Sequence, residues 1–91
     1  MARLLFSGPF LDDVAELSEA AEAEVWSKLE LVETFPGVGS SLIEPVLLRA
    51  FGPSCLKVAA AGHDIIYERD GSGDKDELVR VLGIVPQRRV R

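Results

Sequence analysis

The chain has 91 residues, 47% of them hydrophobic and 27% charged, with a formal net charge of -5. This length supports one domain with one core, because each half alone would be too small to bury enough apolar surface, and the composition is that of a folding sequence. The acidic total argues against broad non-specific binding of nucleic acid, and one cysteine without a Cys/His grouping excludes both an internal disulfide and structural zinc.

Arg3-Leu4-Leu5-Phe6 reads as a short first strand, ended by Ser7-Gly8-Pro9, where a serine N-cap and an early proline suit a helix start. Its apolar run is too short for a signal-peptide core or a membrane span, so a cytoplasmic location is expected. Phe10, Val14 and Leu17 then fall at i, i+4 and i+7 with Asp12, Asp13 and Glu16 on the other side, the pattern of a short amphipathic helix. Ser18 restarts the helix, and Ala21, Val25, Leu29 and Val32 make a second apolar stripe that Phe35-Pro36-Gly37 stops. Residues 8 to 35 are read as a helical hairpin in preference to one bent helix.

Between Ser40 and Phe51 a capping box of Ser41 and Glu44 and a stop at Gly52-Pro53 give a possible short third helix, although Val46-Leu47-Leu48 also suits a strand. From Cys55 the pattern becomes β: Leu56-Lys57-Val58, a bend at Ala61-Gly62, then Asp64 to Arg69, which together make a hairpin. Asp70 to Asp76 is polar and glycine-rich, an exposed loop into the last strand, Leu78 to Val85. Apolar residues on both faces of that strand mark it as central, covered on one side by the helices and on the other by its own chain or a partner. The fold class expected is α+β: an N-terminal strand, the hairpin and the possible third helix on a small antiparallel sheet, all one domain over residues 1–91. Charge is unevenly placed, with nine acids and two bases in residues 1–45 (net -7) and six acids and eight bases in residues 46–91 (net +2).

Phe35-Pro36-Gly37, Cys55-Leu56-Lys57-Val58, Gly62-His63-Asp64-Ile65-Ile66-Tyr67 and the run from Val81 to Val90, in that order, resemble the RelE/ParE toxin superfamily over roughly residues 3 to 91. In that family a helical hairpin reaches a Phe/Leu-Pro-x-Gly-like turn. A strand ends in Gly-Tyr-Arg-(Val/Ile)-(Ile/Leu)-Tyr, and the final strand runs into a (His/Pro)-x-Arg-Arg tail. The resemblance implies a RelE/ParE-like fold and a bacterial toxin of a type II toxin-antitoxin system, of the kind tied to plasmid stabilization, neutralised by a cognate antitoxin whose extended segment and helix wrap it. Growth inhibition would follow by ribosome-dependent mRNA cleavage, with ribosome and mRNA as partners and the chain as an endoribonuclease. The alternatives are ParE-like inhibition of DNA gyrase without chemistry of its own, or an inactive member kept as a protein-interaction module. RNA cleavage is the expectation taken forward, by analogy with a common activity of the superfamily. No cofactor, metal or membrane is implied. Two departures bear on it. Asp64 stands where the motif usually carries arginine, an anion in place of a cation that would stabilise a phosphoryl transition state. The sequence also reaches Arg91 without the C-terminal tyrosine of many ribosome-dependent members.

Cleavage through a 2'-hydroxyl needs a base, a donor for the leaving oxygen and a cation near the phosphate oxygens. The candidates carried over for these roles are Arg88, Arg89, Lys57 and His63, with Arg80 and Arg91 on or just after the same strands. Each has a plainer reading. Terminal arginines often only solubilise, His63 beside a turn glycine suits an exposed turn residue, and Asp64 suits a surface ion pair with Lys57. Tyr67 alternates with isoleucines and is expected to pack, Trp26 to cap the edge of the helix stripe, and Cys55 to be an unactivated strand residue. Asp12, Asp13, Glu16, Glu19, Glu22 and Glu24 look like a solvated helical face.

Overall fold

The computed structural model describes residues 2–71 and 77–89 and, of Arg89, the backbone alone. Ser72–Asp76 of the expected exposed loop, together with Val90 and Arg91, lie outside the described residues. The elements follow the expected order: β1 (Arg3–Phe6), α1 (Gly8–Val14), α2 (Glu19–Thr34), a 3-10 turn at Pro36–Val38, α3 (Pro45–Phe51), β2 (Cys55–Ala60), β3 (His63–Asp70), β4 (Leu78–Pro86) and a second 3-10 turn at Gln87–Arg89. The strands form one sheet in the order β1-β4-β3-β2. The expected antiparallel sheet is corrected in one respect: β2–β3 and β3–β4 are antiparallel, but β1 lies parallel to β4. Parallel neighbours need a long connection, and here nearly the whole chain provides it.

The hairpin breaks at Ser18 as expected, since Ser18 is extended and its Oγ accepts from the Ala21 amide at 3.2 Å. Ser7 does more than cap α1. Its Oγ accepts from the Phe10 amide at 3.1 Å and donates to the Leu82 carbonyl at 2.8 Å, fixing the helix start to β4. Phe10, Val14, Val25, Leu29 and Val32 then bury their stripe against Ala60, Ile65, Tyr67, Val79, Val81 and Ile84 on one face of the sheet. Burial of one such side chain contributes about 1.5–3 kcal/mol, so this layer holds the domain together. Trp26 sits at its edge as expected, edge-on to Phe6 at 5.3 Å and to Phe10 at 6.1 Å, with Nε1 donating to Glu22.

A bulge explains why the last strand is apolar on both sides. Ile66 is opposite Gly83 but Tyr67 is opposite Val81, so Leu82 has no partner and the side-chain alternation of β4 changes phase there. Val79, Val81 and Ile84 consequently share the helix-covered face. On the other face the chain's own third helix packs: Leu47 and Phe51 of α3 meet Ile43, Cys55, Ile66 and Val85. Gly83 admits this contact, because a Cβ there would lie 2.7 Å from the Phe51 ring.

The third helix exists but starts later than the Ser41/Glu44 capping box predicts. The Ser40 amide donates to the Lys57 carbonyl at 2.8 Å and the Lys57 amide returns the bond at 3.0 Å, which holds Ser40 extended. Pro45 keeps Glu44 extended as well, so the helix begins at the proline.

Candidate functional site

Lys57 lies on the sheet face that carries α3, as do Asp64 and Ile66 from β3. Its ammonium is already engaged: Nζ is 2.7 Å from Glu44 Oε1 and 3.9 Å from Asp64 Oδ2. The hydrogen bond to Glu44 raises the Lys57 pKa above its ordinary value and holds the Glu44 carboxyl below its own. A lysine so placed is favoured in its charged form.

Asp64 is corrected from a surface residue to a buried one, 4% exposed. Burial of a carboxylate is tolerable only with partners, and it has two: the Lys57 ammonium and the amide of Gln87, whose Nε2 donates to Oδ1 at 3.1 Å. Gln87 was not among the sequence candidates, nor was Glu44 in this role. They meet Asp64 and Lys57 from 23 and 13 residues away, separations at which a single sequence carries no local signal.

His63 opens β3 beside the two-residue turn Ala61-Gly62, where both residues have positive φ, 54° and 75°, the conformation of a tight hairpin. The side chain is half-buried, less open than the turn residue expected, with Nδ1 2.9 Å from the Ala61 carbonyl. The Gln87 amide donates to the Gly62 carbonyl at 3.0 Å, which holds the final 3-10 turn against the hairpin tip. A shallow depression of about 510 Å3 results, lined by Ala61, Gly62, His63, Pro86, Gln87 and Arg88. The structure thus brings His63 and exposed Arg88 together, while Lys57 lines a neighbouring depression of about 380 Å3 that shares only Gln87.

Arg80 does not join them. Its register opposite Glu68 puts it toward the other end of β4, where it pairs with Glu68 at 3.3 Å and Asp70 at 2.6 Å. Tyr67 is fully buried, and its hydroxyl donates to the Pro36 carbonyl at 2.7 Å and accepts from the Gly39 amide at 2.8 Å. Burial pushes its phenol pKa up, so it is a structural clamp on the turn after α2. Cys55 is buried and its thiol pKa is likewise raised by burial, the state of an inert cysteine. Among the described residues no three His, Cys, Asp or Glu side chains are grouped to hold a metal ion, and no helix is long and apolar enough to cross a membrane.

No family model matches the sequence, and no curated protein matches it. Solved structures do match in shape. The toxin–antitoxin complex RelBE of E. coli contains a chain that superposes with a TM-score of 0.68 at 19% identity, covering 92% of this chain and 94% of that one. A doubly mutated E. coli RelE toxin in the free state superposes with a TM-score of 0.65 at 18% identity, covering 92% and 81%. The chain therefore has a RelE-like fold.

Proposed function

We propose that this protein is the toxin of a bacterial toxin–antitoxin pair, held by a protein antitoxin, and that it disables its target by occupying it and not by cutting RNA. Likeness in fold to RelE, both free and within the RelBE complex, supports the first half of this reading. The electrostatics of the α3 face support the second. A phosphodiester under attack gathers negative charge on its oxygens, and a catalyst must meet it with unopposed cations. Lys57 instead faces Glu44 and Asp64, and Arg80 faces Glu68 and Asp70. The pairing of Lys57 with Glu44 is the single observation that carries the choice. A ParE-like action on DNA gyrase is the target class that fits, because it asks for a binding surface and no chemistry.

One observation favours ribosome-dependent mRNA cleavage as the second reading: His63 and Arg88 line one depression, an imidazole for proton transfer beside a guanidinium able to hold phosphate oxygens. Induced expression in a bacterial culture separates the two. Growth arrest with intact transcripts and a DNA-damage response, unchanged in an Arg88→Ala/Arg89→Ala variant, is the result expected. Cut transcripts that vanish in the variant would transfer the reading to RNA cleavage, and growth without arrest would refute the toxin itself.

A further inference from the structure

We propose that the end of β4 receives an extended segment of a partner protein as an added strand, with lysine or arginine at alternate residues of that segment. The proposal goes beyond the toxin reading and does not depend on it. β1 pairs with β4 from Leu78 to Val81 and then stops, because Ser7 turns the chain into α1, while β4 runs on to Pro86. Along a strand the side-chain face and the direction of the backbone groups alternate together, so residues that share a face also point their N–H and C=O the same way. Val81 lies on the helix-covered face, and its carbonyl takes the Ser7 amide at 3.0 Å on the β1 side. The bulge at Leu82 puts Ile84 on that same face. The N–H and C=O of Ile84 therefore point past the end of β1. Among the described residues no strand lies beside β4 there, and no turn, loop or side-chain bond reaches them. Pro86, in the same phase, adds an outward carbonyl and has no N–H to leave open, the place where proline suits a strand edge.

A groove of about 510 Å3 opens along this edge, floored by Ile84, Val85 and Pro86. Asp13 of α1 with Glu16 of the link to α2 stands on one side, and Val46 and Ala50 of α3 on the other. The open backbone groups select a polypeptide, since a donor and an acceptor spaced to match them are what another strand offers. Charge selects its side chains. Glu44, Glu68, Asp70 and Glu77 each face a base, but among the described residues no ion pair engages Asp13 or Glu16, and no lysine or arginine lines the groove. His63 is the other ionisable group of the lining, with Nδ1 turned to the Ala61 carbonyl. An added residue opposite Ile84 shares its face and points to the side of Asp13 and Glu16. The residues before and after it point toward Val46, which is 48% exposed. The sequence that fits is thus a cationic residue between apolar ones, whereas a phosphate backbone or an anionic membrane is repelled by the same two acids.

Amide hydrogen exchange followed by NMR tests this on the whole chain, at low ionic strength where screening is least. In the free chain the Ile84 amide is expected to exchange faster than that of Val85, which turns to Asp64 of β3. An end-blocked hexapeptide of alternating lysine and valine is expected to slow Ile84 roughly tenfold at about ten times its Kd, when about a tenth of the chain remains free. Asp13→Asn/Glu16→Gln should weaken that peptide roughly two- to fivefold for each charge removed, the range of exposed pairs. Should the double variant fail to fold, Asp13→Asn alone takes its place, with the amide spectrum as the check. The same peptide with glutamate for lysine should leave Ile84 unprotected, and so should n-hexylamine, which carries the charge and an apolar chain without a backbone. A lysine peptide that does not bind, or binds without slowing Ile84, would overturn the proposal, as would unchanged affinity for the variant. Equal protection by the glutamate peptide or by the amine would overturn the selection of a cationic polypeptide. Protection of Ile84 in the free chain equal to that of Val85 would show the edge already closed, and protection that grows with chain concentration would assign it to a second copy; either result overturns the proposal.

Discussion

Tyr67→Phe tests the clamp reading of the one tyrosine most directly. The substitution keeps the ring, which is fully buried, and deletes a hydroxyl that donates to Pro36 at 2.7 Å and accepts from Gly39 at 2.8 Å. Both backbone groups lose their partner in a half-buried setting, where each such loss costs about 1 kcal/mol, the low end of the range for an unsatisfied group, so about 2 kcal/mol in total. For a domain of this size that corresponds to a fall in melting temperature of roughly 10–15 °C. Circular dichroism melts and urea titrations measure it, and the slope of the urea transition should not change, since no large surface is exposed. Gly39→Ala gives the second arm: its Cβ would lie 2.5 Å from the Tyr67 hydroxyl, so it destabilises the native chain and does so less when Tyr67→Phe has removed that oxygen. A proton balance gives the third. Burial raises the phenol pKa above the usual 10.0, so the unfolded chain ionises first. Native stability therefore falls as pH rises past that value, and Tyr67→Phe lacks this alkaline loss. A melting temperature within a few degrees of native, with additive effects of the two substitutions, would refute the clamp.

Other expectations concern the supports around the site. Glu77 is 3% exposed and accepts from Arg69 through both oxygens, Arg69 Nη2 to Oε1 at 2.8 Å, which lowers its pKa below the usual 4.5. The stability this pair contributes is present above pH 4.5 and is lost as pH falls through the folded-state value, so Glu77→Gln should flatten acid melts in that window. Arg69→Ala should cost about 2 kcal/mol, less than for a fully buried pair because solvent reaches the guanidinium. Gly83→Ala should cost about 1–3 kcal/mol by pressing on the Phe51 ring, and Phe51→Leu should relieve much of it in urea titrations of the double variant.

Much of this fold is legible in the sequence where the determinant is local. Ser18 and Ser7 announce helix starts, Pro36 a stop, and the alternation through β2 and β3 their hairpin, because caps, rings and pleats act over a few residues. The start of α3 misleads for the same reason: Ser41 and Glu44 have the local spacing of a box, but Ser40 is held by Lys57 from another element and Pro45 dictates where helix begins. The apolar pattern of β4 is ambiguous until the unpaired Leu82 is known, since one extra residue reassigns every side chain beyond it. At the candidate site, His63 and Arg88, both named from the sequence, line one depression, whereas the burial of Asp64 and the engagement of Lys57 depend on Gln87 and Glu44, which only the folded chain delivers. Charge counted along the sequence gives a basic second half; in space its cations at Lys57, Arg69 and Arg80 meet acids.

The parallel pairing of β1 with β4 has a consequence for how the protein is made. Ser7 and Leu82, which close that pairing, are 75 residues apart, and β4 sits between β1 and every other strand. At a synthesis rate of about 5–20 residues per second the N-terminal strand waits roughly 4–15 s for β4, its neighbour in the sheet. Until then Leu4 and Phe6 have helices to shelter them but no strand to join, and a nascent chain cut short before Leu78 carries a β2–β3 hairpin that lacks its third strand. Interrupted translation would therefore release fragments without the finished sheet, so that the fold is complete only when the message has been read almost to Pro86.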